Sequence, residues 1–111
     1  MIEKPWGTEE ILEHNDRYVL KKLTMKKGHR CSLQYHEKKK ETIYILSGVL
    51  CITWGKNKNE LQSHNFTTDD VFTINPMEIH RMSTEIGSVY LETSTPELDD
   101  VIRIEDDYDR E

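Results

Sequence analysis

Between Gly28 and Gly48 the chain sets polar residues at a spacing that few folds can use: Gly28-x5-Gln34-x-His36-x4-Glu41-x6-Gly48, answered downstream by His80. On a strand, residues two apart point to one face, so Gln34 and His36 project together. Glu41 opens the apolar run Glu41-Thr42-Ile43-Tyr44-Ile45-Leu46 on the parity of Ile43 and Ile45. A carboxylate sharing a face with two isoleucines looks into an interior, where a charge is costly unless paired or bound to a metal. The pattern predicts an all-β barrel with Gln34, His36, Glu41 and His80 gathered inside it. They hold either a divalent cation or one another.

The rest of the chain agrees with an all-β class. Tyr18–Met25, Cys31–His36, Val71–Ile74, Ile79–Ser83 and Ser88–Thr95 read as strands, and Thr42–Ser47 with Val49–Trp54 as a hairpin about Gly48. Short strands between regular turn signals suggest a sandwich or barrel. No window sustains the apolar period of an amphipathic helix, and the one expected helical turn falls near the acidic end. Tyr35 and Tyr44, on the parity opposite the donors, are expected to face outward.

At 111 residues the chain is read as one domain over 1–111. Its net charge of −6 has an address. Residues 97–111 carry eight acidic and two basic residues, which leaves 13 of each sign elsewhere. A neutral body with an acidic end argues against nucleic-acid binding, which needs a basic patch. The tail reads as a solvated edge, or as a lid or partner-contacting end. No apolar run approaches the roughly 20 residues of a membrane span, and the first residues lack a secretory pattern, so the expected setting is the cytoplasm. Cys31 and Cys51 are expected as two reduced thiols.

The block from Gly28 to Gly48 resembles the first cupin motif, with Gln34 where the first histidine usually stands. The stretch ending at His80 resembles the second, although its Gly, Pro and Gly positions fall on Asp69, Asn75 and Met77. Lys4-Pro5-Trp6-Gly7, Ser32-Leu33-Gln34-Tyr35-His36, Glu41 and the closing Asp99-Asp100-Val101-Ile102-Arg103 through Tyr108 and Arg110 are similar to the carboxy-terminal cupin domain of type II mannose-6-phosphate isomerases. Lys39 replaces that family's Arg, and Asp109 its final Gly.

The resemblance implies a double-stranded β-helix, a small jelly roll. It also implies a homodimer, for which the segment through Pro5-Trp6-Gly7 is a plausible pairing edge. It implies a divalent metal, Zn, Mn, Fe, Co or Ni, on Gln34, His36, Glu41 and His80 with positions left open. The expected function is sugar-phosphate isomerisation in carbohydrate or polysaccharide precursor metabolism. The alternatives are a non-catalytic carbohydrate- or metabolite-binding module and an iron-dependent oxygenase. Isomerisation needs a base, for which Lys39, Glu78 and Glu92 are the candidates. Lys39 and Arg81, beside the donors in sequence, are the candidate phosphate contacts.

Overall fold

Period-two alternation of burial writes two facing sheets. The chain is described over residues 1–109 by a computed structural model, in which every regular element is a strand. In order these are β1 (Ile2–Lys4), β2 (Gly7–His14), β3 (Val19–Met25), β4 (His29–Arg30), β5 (Leu33–Tyr35), β6 (Glu41–Gly48), β7 (Leu50–Gly55), β8 (Leu61–Phe66), β9 (Val71–Ile74), β10 (Ile79–Thr84), β11 (Ser88–Ser94) and β12 (Ile102–Glu105). One sheet runs β1-β2-β3-β11-β6-β9; the other runs β12-β5-β10-β7-β8, with β4 also on β10. Among the described residues no helix is long and apolar enough to cross a membrane.

The inward parity is consistent from strand to strand. Leu23 and Met25 of β3, Ile43 and Ile45 of β6, Leu50 and Ile52 of β7, Ile74, Met82 and Tyr90 form one core with Trp6 and Phe66. Each such burial contributes about 1.5–3 kcal/mol. The same parity sends Lys21, Glu41, His80 and Glu92 inward, and those charges collect at one end of the roll. Tyr44 faces out, its hydroxyl donating to Asp69 at 2.6 Å.

Three expectations are corrected. Thr42–Ser47 and Val49–Trp54 do not form a hairpin. β6 pairs with β11 and β9, while β7 pairs with β10 and β8, so Gly48 is a corner between sheets. Its φ of +75° and the Gly87 carbonyl, 2.0 Å from where a Cβ would sit, require glycine. Of Cys31–His36 only Leu33–Tyr35 is strand, as β5, and Cys31-Ser32 separates it from β4. The acidic end holds no helical turn among its described residues; β12 lies there along β5.

Two strands have no alternating apolar signal. β2 buries Gly7 and Glu9, and β8 only Phe66, so both are set by pairing with β3 and β7 rather than by their own residues. Ile2–Lys4, read as a pairing edge, is the outer strand of its sheet and folds back on β2. Cys31 and Cys51 are free thiols.

Candidate metal centre

His36 follows β5 directly, Glu41 begins β6 and His80 is the second residue of β10, so both sheets contribute. All three side chains are buried, at 2%, 2% and 0% exposure. Their donor atoms lie within 4.8 Å of one another. Glu41 Oε1 is 3.4 Å from His36 Nε2 and 3.2 Å from His80 Nε2.

Backbone carbonyls decide where the imidazole protons sit. His36 Nδ1 donates to the Asp100 carbonyl at 2.5 Å, and His80 Nδ1 to the Glu78 carbonyl at 3.0 Å. A neutral imidazole with its proton on Nδ1 presents a lone pair at Nε2. Both Nε2 atoms and Glu41 Oε1 therefore face each other as acceptors. The separations are ion-pair length, yet none of the three has a hydrogen-bond partner. Three buried acceptors without a donor are costly, and a cation among them removes that cost. The donor set, two imidazoles and a carboxylate, suits a divalent transition metal.

Around this centre the charges are layered. Lys39 is buried, with Nζ 3.5 Å from Glu41 Oε2 and 3.5 Å from Glu92 Oε2. Burial pulls its pKa down, but Glu92 and Glu41 outweigh that and leave it raised. Burial pushes the Glu41 carboxyl up, and the Lys39 ammonium beside it pulls the other way. Glu92 is pushed up to about 7, first by burial and then by Glu41, against the pull of Lys39 and Lys21. Lys21 itself pairs with Glu9 at 3.2 Å.

His36, Glu41, Lys39, Glu92, Lys21 and Glu9 line a cavity of about 120 Å³, which His80 does not line and which is walled by Trp6, Leu23, Tyr90, Leu98 and Val101. Gln34 lines it beside His36 and stands opposite His80 in the sheet. The Ser32 hydroxyl donates to Gln34 Oε1 at 2.5 Å, leaving that oxygen a second lone pair. A larger cavity of about 550 Å³, between Arg30, Cys51, Ile86 and Tyr108, contains none of the donors.

The candidates expected beside the donors separate into two groups. Lys39 and Glu92 face the cavity. Glu78 does not line it; its carboxylate accepts the Asn75 N–H at 2.7 Å and caps the turn before His80. Arg81 does not line it either. Its guanidinium donates to the carbonyls of Cys31 at 2.9 Å and Glu105 at 3.3 Å, tying β10 to β12. Sequence reasoning overlooks Lys4, Glu9, Lys21 and Arg103, which line the cavity, and Asp100, which holds its loop. The Asp100 carboxylate accepts the N–H groups of Glu37, Lys38 and Lys39 at 3.0, 2.7 and 2.9 Å. The Asp99-Asp100 pair of the closing motif is the signal that could have found it.

The family model described as "Mannose-6-phosphate isomerase C-terminal" matches residues 1–106. The chain belongs to the mannose-6-phosphate isomerase C-terminal family. Among curated relatives, it is 33% identical to a mannose-1-phosphate guanylyltransferase of Salmonella muenchen, over 94% of this chain and 22% of that one. It is 30% identical to the alginate biosynthesis protein AlgA of Pseudomonas aeruginosa, over 98% of this chain and 23% of that one. This isomerase-family domain thus spans less than a quarter of the length of those relatives. Its fold is that of the capsular polysaccharide assembling protein CapF from Staphylococcus aureus, with a TM-score of 0.80 at 18% identity, covering 93% of this chain and 33% of CapF. The oxalate decarboxylase of Lactobacillus farciminis follows at 0.78 and 17%, covering 92% of this chain and 32% of that one. The domain is a cupin double-stranded β-helix.

Proposed function

We propose that this domain binds a divalent cation through His36, Glu41 and His80, with Gln34 as a fourth ligand, and acts on a sugar or sugar phosphate in polysaccharide precursor metabolism. The observation that carries the reading is the trio of buried lone pairs facing one another, each imidazole fixed by a backbone carbonyl. The family membership and the relatives named for mannose 1-phosphate and alginate support the substrate class.

When bound, such a cation supplies Lewis acidity to substrate oxygens. The chain's own residues supply the rest. Trp6, Tyr90, Leu98 and Val101 exclude water and set the width of the cavity. Lys39 and Glu92, 3.5 Å apart beside Glu41, are the candidates to carry a proton between neighbouring carbons, as aldose–ketose isomerisation requires. Glu92, with its carboxyl raised to about 7, is suited to both taking and returning that proton. A second reading, a carbohydrate-binding module without turnover, is favoured by one feature: Lys39 and Glu92 are engaged with each other at 3.5 Å in a cavity of only about 120 Å³.

The test is metal analysis of the protein as isolated, then hexose 6-phosphate interconversion with and without chelator. Metal present in the wild type and lost from His36→Ala and His80→Ala, with chelator-sensitive turnover lost in Glu92→Gln, is the expected result. Binding without turnover selects the second reading. Undiminished metal in both histidine variants rejects the centre.

A further inference from the structure

The charged side chains lining the cavity divide sharply by partner. Lys21 is held by Glu9, and Lys39 by Glu41 and Glu92. Lys4 and Arg103 line the same cavity, yet neither joins an ion pair among the described residues. Arg103 Nε is buried with no hydrogen-bond partner. A guanidinium N–H left without an acceptor is expensive, and among the described residues no carboxylate neutralises this group where it lines the cavity. Glu97, whose Oε2 is also buried and unpartnered, does not line the cavity and forms no ion pair with Arg103.

The sheet register fixes how far this unpaired charge stands from the three-residue centre. Arg103 is opposite Gln34 on β5, and Gln34 is opposite His80 on β10. Cross-strand partners share a face, so the three form one rung across the inner side of the sheet. With neighbouring strands about 4.8 Å apart, Arg103 begins about 10 Å from His80. Lys4 approaches from the other sheet, at the end of β1. Both cations are half-buried, whereas His36, Lys39 and Glu41 are buried, which places them on the outer side of the cavity. Four cationic and three anionic side chains line it in all.

We propose that Arg103 and Lys4 form an anion subsite that takes the phosphate of a phosphate monoester while the ester's hydroxyl-bearing end reaches the His36–Glu41–His80 centre. The phosphate sits several bonds from the atoms held at the centre, as on the terminal carbon of a hexose. The guanidinium supplies a fork matched to phosphate oxygens, and the ammonium a point charge. The hydroxyl end rests on the reading of the centre as a metal site; the phosphate end rests on Arg103 and Lys4 alone.

The experiment is calorimetric titration of mannose 6-phosphate and of mannose into wild type, Arg103→Gln, Arg103→Lys and Lys4→Gln, metal-loaded and chelator-treated, with metal content measured in each. Arg103→Gln should weaken mannose 6-phosphate by about tenfold or more, as loss of a charge-assisted contact implies. Lys4→Gln should weaken it by about threefold or more, and Arg103→Lys should recover part of the loss. Metal content and mannose binding should stay at wild-type values. Mannose 6-phosphate affinity within twofold of wild type in the glutamine variants, equal losses for the neutral sugar, or no binding by the wild type overturns the subsite. If the wild type holds no metal but phosphate binding still depends on Arg103, the subsite stands and the metal reading falls. Should Arg103→Gln not fold, Lys4→Gln, at the partly exposed end of an outer strand, decides the matter.

Discussion

Glu41→Gln should make the metal-free protein more stable while abolishing metal binding. In the wild type without metal, Glu41 Oε1 and the two Nε2 atoms are buried acceptors that nothing satisfies, each costing about 1–3 kcal/mol. A glutamine amide placed on the same rotamer with its nitrogen at the Oε1 position brings two N–H donors. That nitrogen would lie 3.2 and 3.4 Å from the imidazole lone pairs. Against this gain stands the Glu41–Lys39 contact at 3.5 Å, which is weakened, although Lys39 keeps Glu92 at the same distance. The balance is a net stabilisation of about 1–3 kcal/mol. For a chain of this length that is a rise in Tm of roughly 4–12 °C. Thermal unfolding in chelator reads it directly. Added metal at about a hundredfold over its Kd should then raise the wild type by about 2.7 kcal/mol and leave the variant unmoved. A glutamine variant less stable than wild type in chelator would refute the reasoning. It would mean that charged imidazoles already donate to the carboxylate and no cation is needed.

Four further outcomes follow from the same geometry. Asp100→Ala should lower metal affinity by tenfold or more, the usual effect of loosening a residue that orients a ligand. Its carboxylate holds the N–H groups of 37, 38 and 39; unchanged affinity by metal titration would show that the His36 loop holds itself. Met77→Gly should stabilise by about 0.5–1 kcal/mol in thermal or denaturant unfolding, because Met77 is 57% exposed with φ +71°, while Gly48→Ala should cost several kcal/mol through its 2.0 Å clash with the Gly87 carbonyl. Glu92, raised to about 7 by burial and then by Glu41, binds its proton more tightly folded than unfolded. Its contribution is therefore fully present below pH 4.5 and is lost as pH rises through 7. Stability of the metal-free wild type relative to Glu92→Gln should fall across that window, and a flat difference in denaturant titrations at several pH values would contradict it.

What was legible in the sequence was whatever obeys parity. Glu41 with Ile43 and Ile45, Tyr44 turned outward, and the strands at Val19–Met25 and Ser88–Ser94 all follow from residues two apart sharing a face. What was not legible depends on which strand pairs with which. The run about Gly48 has the local signature of a hairpin, but both flanking strands bury their inward residues on opposite sides of one core, so the chain turns a corner instead. β2 and β8 carry charge and amide where apolar alternation was sought, because their partners supply the burial. Arg81 next to His80 looked available for phosphate; on a strand, adjacent residues face opposite sides, and its guanidinium is spent on two carbonyls behind the sheet. At two of the departures from the second cupin motif the backbone takes a conformation that favours glycine. Asp69 and Met77, standing where glycines are usual, keep left-handed φ values of 73° and 71°. The Met77 N–H still donates to the His36 carbonyl at 2.7 Å, so the loop that delivers His80 also fastens His36.

The acidic end is best understood as part of the centre's construction. Charge counting alone made residues 97–111 a solvated edge, or a lid or partner-contacting end; the described part, to residue 109, also supplies acceptors to the centre. The Asp100 carbonyl fixes the His36 proton, and its side chain ties three consecutive N–H groups of the loop leading to Glu41. The Glu105 carbonyl accepts from Arg81, the neighbour of His80, and Asp107 grips Arg30 through two contacts at 2.6 and 2.8 Å. Leu98 and Val101 wall the cavity, and Arg103 enters it. One segment thus sets an imidazole's tautomer, shapes the pocket and brings an unpaired cation to it. Asp100 is held below the usual carboxylate range by backbone N–H groups of Lys38 and Glu37, and Asp107 by Arg30. Two of its carboxylates have donors for partners: Asp100 takes the loop N–H groups of 37, 38 and 39, and Asp107 takes the Arg30 guanidinium.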